Sequence, residues 1–169
     1  MYKIVRFCVF ASAILMSIAL SAQAPKPRFR KNIFAELGGN GLLFSGNYDM
    51  RLKRGAQDGL GFRIGLGGGR IINDAYFTIP FGVNYLLGAG RSALEVGLGL
   101  TPAHYRSSTY SNNALHSMDK WYGLVMLNIG YRFQPLRDGV MFRIDWTPGL
   151  NGDRVVRGYA GLSLGISSR

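Results

Sequence analysis

In Val125-Met126-Leu127-Asn128-Ile129-Gly130-Tyr131-Arg132-Phe133 the whole architecture can be read in nine residues. The large apolar residues, Val125, Leu127, Ile129, Tyr131 and Phe133, fall at every second place. Between them stand Met126, Asn128, Gly130 and Arg132. A period of two is the period of a strand, because successive side chains leave it on opposite faces.

Working outward, the same alternation returns in segment after segment. Ile33, Ala35 and Leu37 oppose Phe34, Glu36 and Gly38; Tyr48, Met50 and Leu52 oppose Asn47, Asp49 and Arg51. Leu60, Phe62, Ile64 and Leu66 oppose Gly61, Arg63, Gly65 and Gly67. Phe77, Ile79, Phe81, Val83 and Tyr85 face away from Thr78, Pro80, Gly82 and Asn84. Leu94, Val96, Leu98 and Leu100 oppose Glu95, Gly97, Gly99 and Thr101. Val140, Phe142, Ile144 and Trp146 oppose Met141, Arg143, Asp145 and Thr147, and the last segment sets Ala160, Leu162, Leu164 and Ile166 against Gly161, Ser163, Gly165 and Ser167. Most are near the ~9–11 residues of a tilted transmembrane strand, and they number about eight. The fold expected is all-β, an antiparallel up-and-down transmembrane β-barrel over residues 32–169.

Turn chemistry separates the strands: Gly38-Gly39-Asn40-Gly41, Lys53-Arg54-Gly55 through Asp58-Gly59, Gly88-Ala89-Gly90, and Pro135 through Asp138-Gly139. An even strand count puts both chain ends on one side. The connections near 39–43, 68–75, 103–120 and 148–154 then lie at the opposite side, with 103–120 as the longest loop.

Composition agrees with strands. Among 169 residues there are 24 glycines, scattered rather than periodic, and only 17% of residues are charged. Scattered glycine disfavours helices, and the low charge suits a protein that meets an apolar solvent around a polar interior. Soluble barrels alternate too, with the apolar face inward around an apolar ligand. Two details favour the membrane instead. Lys26, Lys31, Lys53 and Lys120 all sit in a tail, turn or loop, so the strands lack the lysines of a water-facing surface. Large aromatics gather at strand ends, with Tyr76, Phe77, Trp121, Tyr122 and Trp146 on one side and Tyr85, Tyr131 and Phe133 on the other, as interfacial girdles do.

The first residues read as an export address. Lys3 and Arg6 precede an apolar run, Val9 to Leu20, and Ser21-Ala22-Gln23-Ala24 supplies small residues for cleavage after Ala22. Residues 1–22 are thus a signal peptide, and 23–31 a basic periplasmic tail. Cys8 is the sole cysteine and lies inside the signal, so no disulfide or thiol chemistry is expected of the mature chain.

Short motifs add a resemblance. Ala35-Glu36-Leu37-Gly38-Gly39-Asn40-Gly41, then Asn47-Tyr48-Asp49, and the strand ending Asn128-Ile129-Gly130-Tyr131-Arg132-Phe133 resemble the small eight-stranded outer-membrane barrels of the OmpA/OmpX type, and a group of small Gram-negative outer-membrane barrel proteins. The likeness covers about residues 32–167. It implies an outer-membrane location and a monomer whose partners are outer-membrane lipid and the assembly machinery. Such barrels commonly end in an aromatic residue, whereas here Leu164-Gly165-Ile166 runs into Ser167-Ser168-Arg169.

Four acids and four arginines fall on the polar faces: Glu36, Asp49, Arg51, Arg63, Glu95, Arg132, Arg143 and Asp145. A closed lumen demands such balance, because an unpaired buried charge costs several kcal/mol. Arginine suits the role, since its planar fork bonds carboxylates bidentately. These eight are expected to form a structural lumen network, with an ion path as the rarer alternative.

His104 and His116 lie in the 103–120 stretch, with Ser107, Ser108, Ser111, Ser117 and Asp119 nearby. A hydrolytic rim site acting on lipid is conceivable there, but no nucleophile–base or metal-ligand spacing is distinctive. The expectation is a non-enzymatic protein with no cofactor and no metal. His104, Tyr105, Arg106, Tyr110 and His116 are the candidates for contact with a surface partner. The basic run Lys26-Pro27-Arg28-Phe29-Arg30-Lys31 matches no nucleic-acid module, so no nucleic acid is expected as a partner.

Overall fold

The computed structural model describes residues 28–72, 74–111, 114–152 and 154–169. The stretch expected to be a signal peptide (1–22), its expected cleavage site and Lys26 lie outside the described residues. Nine strands form one closed antiparallel sheet: β1 (Lys31–Gly38), β2 (Phe44–Arg51), β3 (Gly59–Ile71), β4 (Asp74–Thr78), β5 (Phe81–Leu87), β6 (Ser92–Ser111), β7 (Ala114–Phe133), β8 (Gly139–Asn151) and β9 (Arg154–Ser168). Each stave pairs with the next, and β1 pairs with β9 from Lys31↔Ser168 to Gly38↔Gly161, which closes the barrel.

The staves are eight, because β4 and β5 are one stave interrupted at Ile79-Pro80. Proline has no N–H to give the ladder. Its neighbours still bond, with Gly65 donating to the Pro80 carbonyl at 2.7 Å and Ile79 to the Pro102 carbonyl at 3.0 Å. The alternation therefore crosses the break in phase, Phe77 and Phe81 outward, Thr78 and Pro80 inward.

The barrel is inside out relative to a soluble one. Among the described residues 22 polar or charged side chains are buried against 7 apolar ones, while Leu, Ile, Val and Phe side chains cover the outside. A soluble barrel around an apolar ligand needs the opposite, so that expectation is overturned by which way the faces point. Trp121 and Trp146 mark one edge of the apolar band, and Tyr85, Tyr131 and Phe133 mark the other. The near end carries Arg28, Arg169 and the connections after β2, β5 and β7; the far end carries those after β1, β3, β6 and β8.

The far end departs from expectation in two ways. Residues 103–120 are not a loop. Lys120, like Lys31 at the start of β1, therefore stands on a strand, contrary to the reading that keeps lysine off the strands; both lie at strand stretches outside the apolar band. β6 and β7 are 20 residues each and stay paired from Ala103↔Tyr122 to Ser111↔Ala114, so the hairpin runs on past its neighbours. Tyr105, Thr109 and Tyr110 are strand formers, and an antiparallel pair already in register extends at little entropic cost. Likewise β3 and β4 reach Ile71 and Asp74, and β8 and β9 reach Asn151 and Arg154 after a bulge between Thr147 and Gly149.

Candidate functional site: the lumen and the far-end hairpin

The first connection folds into the barrel rather than away from it. Gly39–Gly41 make one 3-10 turn, entered at Gly38 (φ 72°) and left at Leu42 (φ 72°). The left-handed backbone at Gly38 and Gly39 suits glycine. Gly39 also abuts the Glu36 carboxylate, where a Cβ would sit 2.5 Å from an oxygen. The turn delivers Asn40 to the lumen, where its amide and that of Asn128 exchange two bonds, of 2.8 and 3.0 Å. Thr101 donates to the Asn40 carbonyl at 3.0 Å, and Thr78 to that of Gly41 at 3.2 Å.

Below this plug the eight charges assigned to the polar faces meet in one connected network, all of them buried. Arg132 bonds Glu95 with both Nε (2.8 Å) and an Nη (2.9 Å), and reaches Asp49 at 2.9 Å. Asp49 is on β2 and Arg132 on β7, which are opposite staves, so this pair crosses the axis. Arg51 closes on Asp49 at 2.7 Å. Arg143 holds Glu95 at 3.2 Å and Asp145 at 3.4 Å, and also bonds Glu36, whose other oxygen takes Arg63. Glu95 thus joins two layers, one around Asp49 and one around Glu36. Uncharged amides complete the shells: Asn84 donates to Asp49 at 2.6 Å and to Glu95 at 2.8 Å, Asn32 to Asp49 at 2.9 Å, and Asn128 to Asp145 at 2.9 Å. Charge-assisted bonds of this number are what offsets the desolvation of buried ions.

Small residues make the room. A Cβ on Gly61 would lie 2.1 Å from the Arg51 guanidinium. Phe34 stands on the polar face of β1, between Ile33 and Ala35. It is buried, with the guanidinium carbons of Arg63 and Arg143 at 5.1 and 5.0 Å from its ring centroid. An aromatic face between two arginines adds cation–π attraction and separates like charges. An isolated aromatic on an otherwise polar face was the available signal.

The near end is closed by Arg30, from the stretch read as tail. It bonds Ser167 and the carbonyls of Pro135 (2.9 Å) and Leu136 (3.1 Å). Gln57 donates to the Pro135 carbonyl, and Gln134 to that of Gln57, both at 2.8 Å.

On the far-end hairpin the surface-contact candidates divide. His104 bonds Asp119, and its ring lies 4.8 Å from that of Trp121. Arg106 bonds the same carboxylate at 3.1 Å. Asp119 lies beyond the apolar band, and hydrogen bonds from Arg106 and His104 hold its carboxyl below the usual carboxylate range. Tyr105 donates to Asp74 at 2.9 Å and packs against Tyr76, ring centroids 5.1 Å apart. Tyr110 and His116 lie on the paired strands, opposite Leu115 and Thr109, and their side chains are outside the described set. Neither Ser107, Ser108 nor Ser117 bonds His104, and among the described residues no three His, Cys, Asp or Glu side chains cluster as metal ligands do.

No protein-family model matches this chain, and no curated protein is similar to it. Solved structures are similar in fold. The N-terminal β-barrel domain of Pseudomonas aeruginosa OprF superposes with a TM-score of 0.55 at 10% identity, over 85% of this chain and 99% of that domain. Neisserial surface protein A (NspA) gives 0.48 at 11% identity, over 83% of this chain and 94% of that one. Ail, the attachment invasion locus protein of Yersinia pestis, gives 0.48 at 13%, over 84% and 97%. The likeness to the OprF domain, with the closed eight-stave sheet, gives this chain the fold of the small outer-membrane β-barrels.

Proposed function

We propose that this chain is a non-enzymatic outer-membrane protein, exported by a cleaved signal peptide, whose lumen is filled and whose work is done at its far end. The observation that carries the reading is the cross-axis network under the Asn40 plug. Asp49–Arg132 spans opposite staves, Glu95–Arg143 and Glu36–Arg63 each reach across one intervening stave, and the amide pair Asn40–Asn128 caps them. A barrel of eight staves is just wide enough for side chains to fill. That leaves the β6–β7 hairpin, with Tyr105, Arg106, Met118 and Trp121, as the surface for a partner. Asp119 is bonded to both His104 and Arg106, and among the described residues no serine is bonded to His104, which favours a recognition surface over a hydrolytic site.

The test is cell fractionation with gel migration before and after boiling, followed by planar-bilayer recording. The protein is expected in the outer membrane, with a mobility shift on boiling and no steady conductance. Arg143→Met should lower the temperature of the shift without opening a current. Stable conductance steps from the unaltered protein would sink the filled lumen, and a soluble band would sink the location.

A further inference from the structure

Every connection at the near end carries an exposed basic residue: Lys53 and Arg54 after β2, Arg91 after β5, and Arg137 after β7. Both flanks of the barrel do the same, Arg28 and Lys31 at its start and Arg169 at its finish. Against these seven stand two acids, Asp58 and Asp138, and Asp138 already accepts the main-chain N–H of Arg169 at 3.0 Å. Among the described residues none of the seven side chains is in an ion pair, although Arg54 lies over the Phe29 ring at 5.0 Å. At the far end Arg106 is paired with Asp119, while Arg70 and Lys120 are exposed and, among the described residues, in no ion pair either.

The basic residues sit one step beyond the apolar band. Leu52, Leu87 and Leu136, in or beside the same turns, are exposed, and the Tyr131 hydroxyl bonds Ser92 at 2.7 Å at this level. Apolar side chains below and unpaired cations above match the height at which acyl chains give way to phosphates.

We infer that the near-end rim is a docking surface for anionic phospholipid headgroups; this rests on the outer-membrane reading above. The distribution around the circumference selects the occupant. A linear polyanion would need a one-sided patch, whereas lipids surround a barrel on all sides. The rim ties the periplasmic end to an acidic leaflet and fixes how deep the barrel sits.

The experiment folds the full chain into phosphatidylcholine bilayers with traces of spin-labelled phosphatidylglycerol or phosphatidylcholine, and measures the motionally restricted fraction of each. At low salt the barrel should hold the anionic probe about three- to fivefold better than the neutral one, as ~1 charge contact per lipid implies. In about 0.5 M salt the preference should fall towards parity. Lys53→Gln/Arg54→Gln/Arg91→Gln/Arg137→Gln should abolish the low-salt preference, and Arg70→Gln/Lys120→Gln/Arg154→Gln/Arg157→Gln should keep it. An inserted barrel without anionic preference, or one whose preference follows the far-end residues, overturns this inference and leaves the membrane reading standing. A chain that does not insert, shown by no mobility shift on boiling, overturns both.

Discussion

Two arginine–aspartate pairs in this barrel have nearly the same geometry and opposite surroundings. Arg132 meets Asp49 at 2.9 Å in the lumen, with both side chains 0% exposed. Arg106 meets Asp119 at 3.1 Å on the hairpin, with 65% and 47% exposed. In water the attraction between such charges is small and is screened by salt; in the lumen each ion has lost its hydration and depends on its partners. Distance alone therefore says little about what an ion pair contributes. What differs is the cost of breaking it.

The largest effect is expected of Arg132→Met. That substitution leaves Arg51 as the one cation bonded to Asp49 and removes the bidentate partner of Glu95, and should destabilise the barrel by about 3–5 kcal/mol. Urea unfolding in detergent micelles measures this. A loss below about 1 kcal/mol would mean that water enters the lumen and solvates the carboxylates. A middle-sized effect tests whether space, as well as charge, separates the inside from the outside. Gly165 faces inward, and a Cβ there would lie 2.1 Å from the Ile33 carbonyl and 2.4 Å from the Phe34 Cβ. Gly46 faces outward with nothing within 4 Å. Gly165→Ala should cost about 1–3 kcal/mol by overpacking, while Gly46→Ala should be neutral or gain up to about 1 kcal/mol through the unfolded chain. The smallest effect belongs to Arg106→Ala. It should leave the unfolding midpoint unchanged, and a clear drop would show that the hairpin pair is shielded from solvent as the lumen is.

The near-local part of this fold was legible in the residues. The alternation in 125–133 fixes which side of β7 faces out, and the matching phase in the other segments follows from the same period. The eight lumen charges could be chosen because each stands between apolar neighbours at strand spacing. Their pairing was not legible: Asp49 and Arg132 are 83 residues apart, and only closure of the sheet brings β2 opposite β7. The inward fold of 39–41 escaped for the same reason, since the partner of Asn40 is 88 residues away. The 103–120 stretch reads as a loop because it is polar. Polarity marks exposure to water, and a hairpin that leaves the apolar band is exposed on both faces.

Arg30 stands just ahead of the first strand, yet its partners Ser167, Pro135 and Leu136 belong to the last strand and to the turn between β7 and β8. Those bonds can form only after the first and last staves have met. They act as a latch across the seam, adding to the barrier for opening the ring and little to the barrier for closing it. Persistence of the finished barrel is thus set partly by a residue that belongs to none of its staves.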